Sequence, residues 1–190
     1  RHMSAEEKEL VFEWVRNGSP EGDPSQLPEP VNYVKGWQLS KEPDLVLNMS
    51  DTPYDVPAEG EVKYQYFKVK TEFTEGKWIK AAEARPGNRA VVHHILVFIK
   101  KPGSRSNRLG ENLDYMAAYV PGFRVREFPQ GMARYLPAGS ELVFQVHYTP
   151  IGSDQKDLSK IGLVFADPEK VTHSVQSLSA IETKFRIPPH

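Results

Sequence analysis

The sequence contains no cysteine. That absence rules out a disulfide framework, a thiolate metal site, an iron–sulfur cluster and a cysteine nucleophile, so any transition metal must be held by His, Met or carboxylate. Charge of one sign is lacking too: 24 Lys and Arg stand against 25 Asp and Glu in 190 residues, with no basic block. The footprint of a nucleic-acid or anionic-membrane binder is therefore missing. No apolar run reaches the roughly 18 residues of a membrane-spanning helix. What the chain does have is 39% hydrophobic residues, enough for one core, together with 16 prolines and six histidines.

Arg1-His2-Met3 reads as the remnant of an expression tag and is set aside, His2 with it. Ser4 to Asn17 is the one helix pattern. Ser4 and Glu7 have capping-box spacing, Leu10, Val11, Trp14 and Val15 form one apolar stripe, and Gly18 closes it. From Ser19 to Gly60, Pro20, Pro24, Pro28, Pro30, Pro43, Pro53 and Pro57 oppose both helix and central strand. Residues 19–60 are thus expected to form an extended arm, laid on a domain surface through Tyr33, Trp37, Leu39, Leu45, Val46 and Leu47.

Beyond Gly60 the texture becomes aromatic and β-branched, punctuated by Gly, Pro and Asn turns. Strands are expected near Val62–Lys70, Lys77–Ala84, Ala90–Lys100, Tyr115–Val120, Glu141–Thr149, Gly162–Ala166 and Thr172–Ser179. Short strands at this spacing predict an all-β, antiparallel sandwich or barrel over residues 61–180. No 20–50-residue period repeats.

His93 and His94 interrupt the most apolar segment of the chain, Ala90 to Ile99, and His147 lies at the end of the alternating run Leu142-Val143-Phe144-Gln145-Val146-His147-Tyr148. With period two, Leu142, Phe144 and Val146 take one face while Gln145 and His147 share the other. Adjacent histidines on a regular strand point to opposite faces, so His93 and His94 can share one metal only at a strand edge or bulge. There the pair is expected to approach from nearly opposite sides, with the third imidazole between them. Three neutral imidazoles with an open position suit a redox-active copper or a catalytic zinc. A zinc hydrolase would also need a general base, for which Glu83 and Glu141 are the nearest candidates, and a non-catalytic module with packed histidines is the third reading. His173 stands alone in a polar setting, His190 is terminal, Met116 and Met132 have the default role of filling gaps, and Asn48-Met49-Ser50 fits a common glycosylation triplet.

At His93-His94-Ile95-Leu96 and Phe144-Gln145-Val146-His147-Tyr148 the chain resembles the copper type II, ascorbate-dependent monooxygenases, the family of peptidylglycine α-hydroxylating monooxygenase and dopamine β-monooxygenase. The likeness extends over about residues 60–190. It implies a jelly-roll-like β-sandwich, the N-terminal of two such domains, holding one electron-transfer copper on His93, His94 and His147. It further implies ascorbate or another reductant as electron donor, a supporting role for Gln145 and one for Tyr64. The family's oxygen-activating site uses a His-x-His pair and a Met, and no His-x-His occurs here.

The resemblance implies, at residues 181–190, the start of a link to a missing C-terminal catalytic domain, so the chain by itself is expected to be inactive as a monooxygenase. Residues 1–18 are similar to the end of a cytochrome c-like module, as in bacterial multidomain members, although no Cys-x-x-Cys-His haem signature is present. The absence of the disulfides that staple animal members argues against close orthology with them. The implied compartment is periplasmic or otherwise extracytoplasmic.

Overall fold

A computed structural model describes residues 2–29, 35–104, 113–123, 125, 127–178, 182 and 184–188. Tyr33, Pro30, Ser179 and His190 fall outside these. Backbone contacts divide the chain into two compact units, Arg1–Val34 and Lys35–His190.

The first unit is built on helix α1 (Ala5–Arg16). Ser4 Oγ accepts from the Glu7 N–H, and Glu7 Oε2 accepts from the Ser4 N–H at 2.7 Å, so the capping box is complete. The chain leaves the helix at Gly18 with φ of 81°, and the Trp14 indole N–H donates to the Pro20 carbonyl. No helix residue is buried.

The second unit is a β-sandwich with eleven strands among the described residues: β1 (Leu45–Asn48), β2 (Tyr54–Val56), β3 (Gln65–Lys70), β4 (Lys77–Arg85), β5 (Val92–Lys100), β6 (Leu113–Tyr119), β7 (Met132–Leu136), β8 (Glu141–Tyr148), β9 (Gln155–Asp157), β10 (Lys160–Phe165) and β11 (His173–Ser174). One sheet has the order β1-β10-β4-β7-β11, the other β3-β8-β5-β6, and β2 pairs with β9. Every described pairing is antiparallel except that of β11 with β7. The alternation read from the sequence is realised in the core. Ile95, Val97 and Ile99 of β5 and Leu142, Phe144 and Val146 of β8 meet Ile79, Ile161 and Leu163 of the facing sheet, all essentially inaccessible to solvent.

Four strands lie where none was expected. β1 and β2 are inside the segment read as arm, with Pro43, Pro53 and Pro57 in the flanks and not within the strands. The extended segment ahead of them is anchored as well. Trp37 and Pro43 lie over Gly162, where an added Cβ would come within 2.6 Å of Pro43 Cγ, and the Arg85 and Lys160 cations sit over the indole. β7 has no β-branched residue, and β9 is Gln-Lys-Asp, so composition gave no sign of either.

The Gln38 N–H donates to Glu83 Oε2 at 2.6 Å, fastening this segment to β4. Burial pushes the Glu83 carboxyl above its usual range, against the opposing pull of that hydrogen bond and of Arg85 and Arg89. A raised folded-state value means that the native protein holds its proton longer than the unfolded chain. Stability from this group is therefore full below about pH 4.5 and falls as pH rises through the raised value. Glu83→Gln removes the titration, so the melting temperature of the parent relative to this variant should fall between pH 4 and 7; a flat or rising difference contradicts the assignment.

Candidate metal centre

The three sequence-predicted histidines come together at one end of the four-stranded sheet. His94 and His147 are direct partners across β5 and β8, and the register then slips: Val92 pairs with Tyr148, leaving His93 as the extra residue of a β-bulge. The bulge resolves the objection that adjacent residues face opposite ways, because the inserted residue brings the His93 ring back toward that of His94. β6 begins to pair with β5 only at Ile95, so both histidines lie beyond its end. The site is on the outer face of the sheet, the side that also carries Leu96, Phe98, Val143 and Gln145, since Ile95, Val97, Phe144 and Val146 point to the core.

One ring nitrogen from each histidine lies within 4.8 Å of the others. Ring centroids are 5.5 Å apart for His93 and His94, 5.0 Å for His93 and His147, and 5.2 Å for His94 and His147. The Nδ1 atoms of His93 and His94 are 3.2 Å apart. The bulge thus brings the two rings together at a distance that suits a hydrogen bond between them.

His147 Nδ1 is buried and has no hydrogen-bond partner among the described residues. A buried ring nitrogen without a partner is costly in a protein interior, and a metal is one group that would satisfy it. Burial first, and then the neighbouring His147 and His93, hold His94 below the usual histidine range. Neutral imidazole is the form that ligates, so burial holds His94 in the state a metal needs. Among the described residues no carboxylate joins this group.

The remaining predicted residues divide. Tyr64, just before β3, lays its ring 5.0 Å from that of His147 and 5.7 Å from that of His94, covering one side of the cluster while remaining half exposed. Gln145 shares the face of His147, as expected, but its amide donates to the Tyr66 hydroxyl at 2.7 Å and not to an imidazole. Glu141 starts β8 at the opposite end from His147 and pairs with Lys100 at 3.0 Å. Glu83 lies in the other sheet. His173 is exposed on β11, with its Nδ1 2.8 Å from Thr172 Oγ1. Met116 is buried and Met132 is exposed.

Behind the cluster is a polar clamp that sequence reasoning missed. Tyr148, next to His147 and opposite Val92, is 1% exposed and donates from its hydroxyl to Asp157 Oδ2 at 2.9 Å. Ser159 Oγ donates to the same oxygen at 2.7 Å, and the Asn88 N–H to Oδ1 at 2.8 Å. Asn88 in turn receives the N–H groups of Ala90, Val91 and Val92, the residues leading into the bulge. Gly87 permits this approach, because a Cβ there would meet the Leu158 carbonyl at 2.6 Å. Tyr148 stood in the quoted motif, but nothing in Gln155-Lys156-Asp157 distinguishes a buried carboxylate from a solvated one.

Comparison with known protein families and with curated proteins finds no match for this chain.

Tyr148→Phe removes one hydrogen bond to a buried carboxylate and should cost about 1.5–3 kcal/mol in urea unfolding. It should also move the ring resonances of His147 and His94. Tyr135→Phe, at a half-exposed side chain of β7, serves as the control and should cost less than about 1 kcal/mol. Equal effects from the two variants contradict a clamp at Tyr148.

Proposed function

We propose that His93, His94 and His147 hold one copper ion, and that the chain serves as the electron-transfer half of an ascorbate-dependent copper monooxygenase. The observation that carries this reading is the bulge-built cluster of three imidazoles with, among the described residues, no partner for the buried His147 Nδ1 and no carboxylate beside it. An all-nitrogen set of neutral ligands suits both copper oxidation states. The resemblance of the two histidine strands to that family supplies the reaction class, and ascorbate or a comparable reductant is then the electron source.

Bound copper would supply a one-electron couple. The chain's own residues supply the setting. His94 stays uncharged through burial and its imidazole neighbours, His147 offers a buried nitrogen without a partner among the described residues, and His93, the exposed member, keeps the cluster open to an approaching donor. Tyr64 covers a flank with an aromatic ring and leaves the other side accessible. Oxygen activation belongs on this reading to a separate catalytic domain with its own His-x-His and Met ligands, and the extracytoplasmic placement follows from the same resemblance. The upstream cytochrome c-like module is a further partner of this proposal.

A zinc hydrolase is the weaker reading. Glu141 is six residues along β8 from His147, about 20 Å in an extended strand, and Glu83 is tied to Gln38 in the other sheet. Neither is placed to activate a metal-bound water.

Titration with Cu(II), followed by electron paramagnetic resonance, should reach saturation at about one equivalent with nitrogen hyperfine structure. His147→Ala should alter that spectrum and weaken binding at least tenfold, as loss of a ligand requires. Identical spectra and affinities in the two proteins contradict the copper site.

A further inference from the structure

The second unit holds a buried cation that the histidine cluster does not explain. Arg134 of β7 is 4% exposed and pairs in register with Ile79, a fully buried residue of β4. Its guanidinium has five N–H donors. Among the described residues it makes one hydrogen bond, from Nη2 to Ser177 Oγ at 2.5 Å, while Nε is buried without a partner. None of the described ion pairs involves Arg134, and Asp114, whose charge acts on it from a distance, is engaged by Lys101 at 2.9 Å. A charge removed from water in this way calls for an anion.

Beside the guanidinium is a cavity of about 230 Å³ lined by Ile79, Ala81, Met116, Ala117, Phe123 and Val125. The alanines of β4 and β6 leave the room that larger core residues would fill. Ser177 and Tyr115 also line it, and burial pushes the Tyr115 phenol upward, so it remains an O–H donor at neutral pH. The volume lies below that of drug-sized ligand pockets, suited to a compact organic molecule and too small for a peptide.

We infer that this cavity binds a small organic monocarboxylate, its oxygens on the Arg134 guanidinium and its apolar body against the alanine-lined wall. The planar fork of a guanidinium matches a carboxylate with two parallel hydrogen bonds. The Nη donors that Ser177 leaves unused can supply them without displacing it. The site is independent of the copper reading, because the histidines lie on the outer face of the four-stranded sheet and Arg134 lies in the facing sheet.

The test is NMR titration of the 190-residue chain with benzoate, and in parallel with benzyl alcohol, following the methyl groups of Ala81, Ala117 and Ile79. Benzoate should give saturable shifts at these methyls and bind at least tenfold more tightly than the neutral alcohol. Arg134→Gln should reduce benzoate affinity at least tenfold and leave the alcohol unchanged. Equal affinity for the two probes in the parent overturns the proposal without reliance on any variant. So does the absence of saturable benzoate shifts, or benzoate binding that survives Arg134→Gln.

Discussion

One extra residue in one strand governs the candidate centre. On a regular β5, His93 and His94 would project to opposite faces, one toward the core and one away from it. The slip in register between Val92 and His94 removes that separation, and the direct pairing of His94 with His147 supplies the third ring. Everything else near the site can be understood as what holds the bulge in place. Asn88 collects the N–H groups entering it, Tyr148 locks the opposite strand to Asp157, and Gly87 lets the two loops approach.

The sandwich contributes by giving this bulge a rigid platform. The core-facing side chains of β5 and β8 are packed against the five-stranded sheet, so the outer-facing set is held by the same backbone. Along the outer face the cross-strand pairs run from His94 with His147, through Leu96 with Gln145 and Phe98 with Val143, to Lys100 with Glu141. The sequence of chemistry is imidazole, amide, apolar pair and ion pair. The one carboxylate in the series is thus at the far end from the imidazoles, which leaves the cluster an all-nitrogen donor set.

Much of this was legible in the residues, and the misses have physical causes. Alternation in Leu142 to His147 correctly assigned core and outer faces because burial on one side enforces period two. The His-His pair in an apolar run pointed to an edge or bulge because no regular strand reconciles it with one ligand. The 3.2 Å approach of the two Nδ1 atoms was not legible, since bulge geometry depends on the partner strand's register. β7 escaped notice because Arg134 occupies a core-facing position where the pattern calls for an apolar residue, and β9 because three polar residues carry no periodicity. Gln145 was placed on the right face, but its partner is Tyr66, a neighbour across β3 that spacing alone does not reveal.

The central claim is that three imidazoles brought together by a bulge form one copper site. X-ray absorption at the copper edge, on protein loaded with one equivalent, tests it most directly. The account predicts first-shell scattering from nitrogen alone at about 2.0 Å, with multiple scattering from three imidazoles that drops to two in His93→Ala. Sulfur in the first shell, two imidazoles or fewer in the parent, or an unchanged imidazole count in the variant would contradict it.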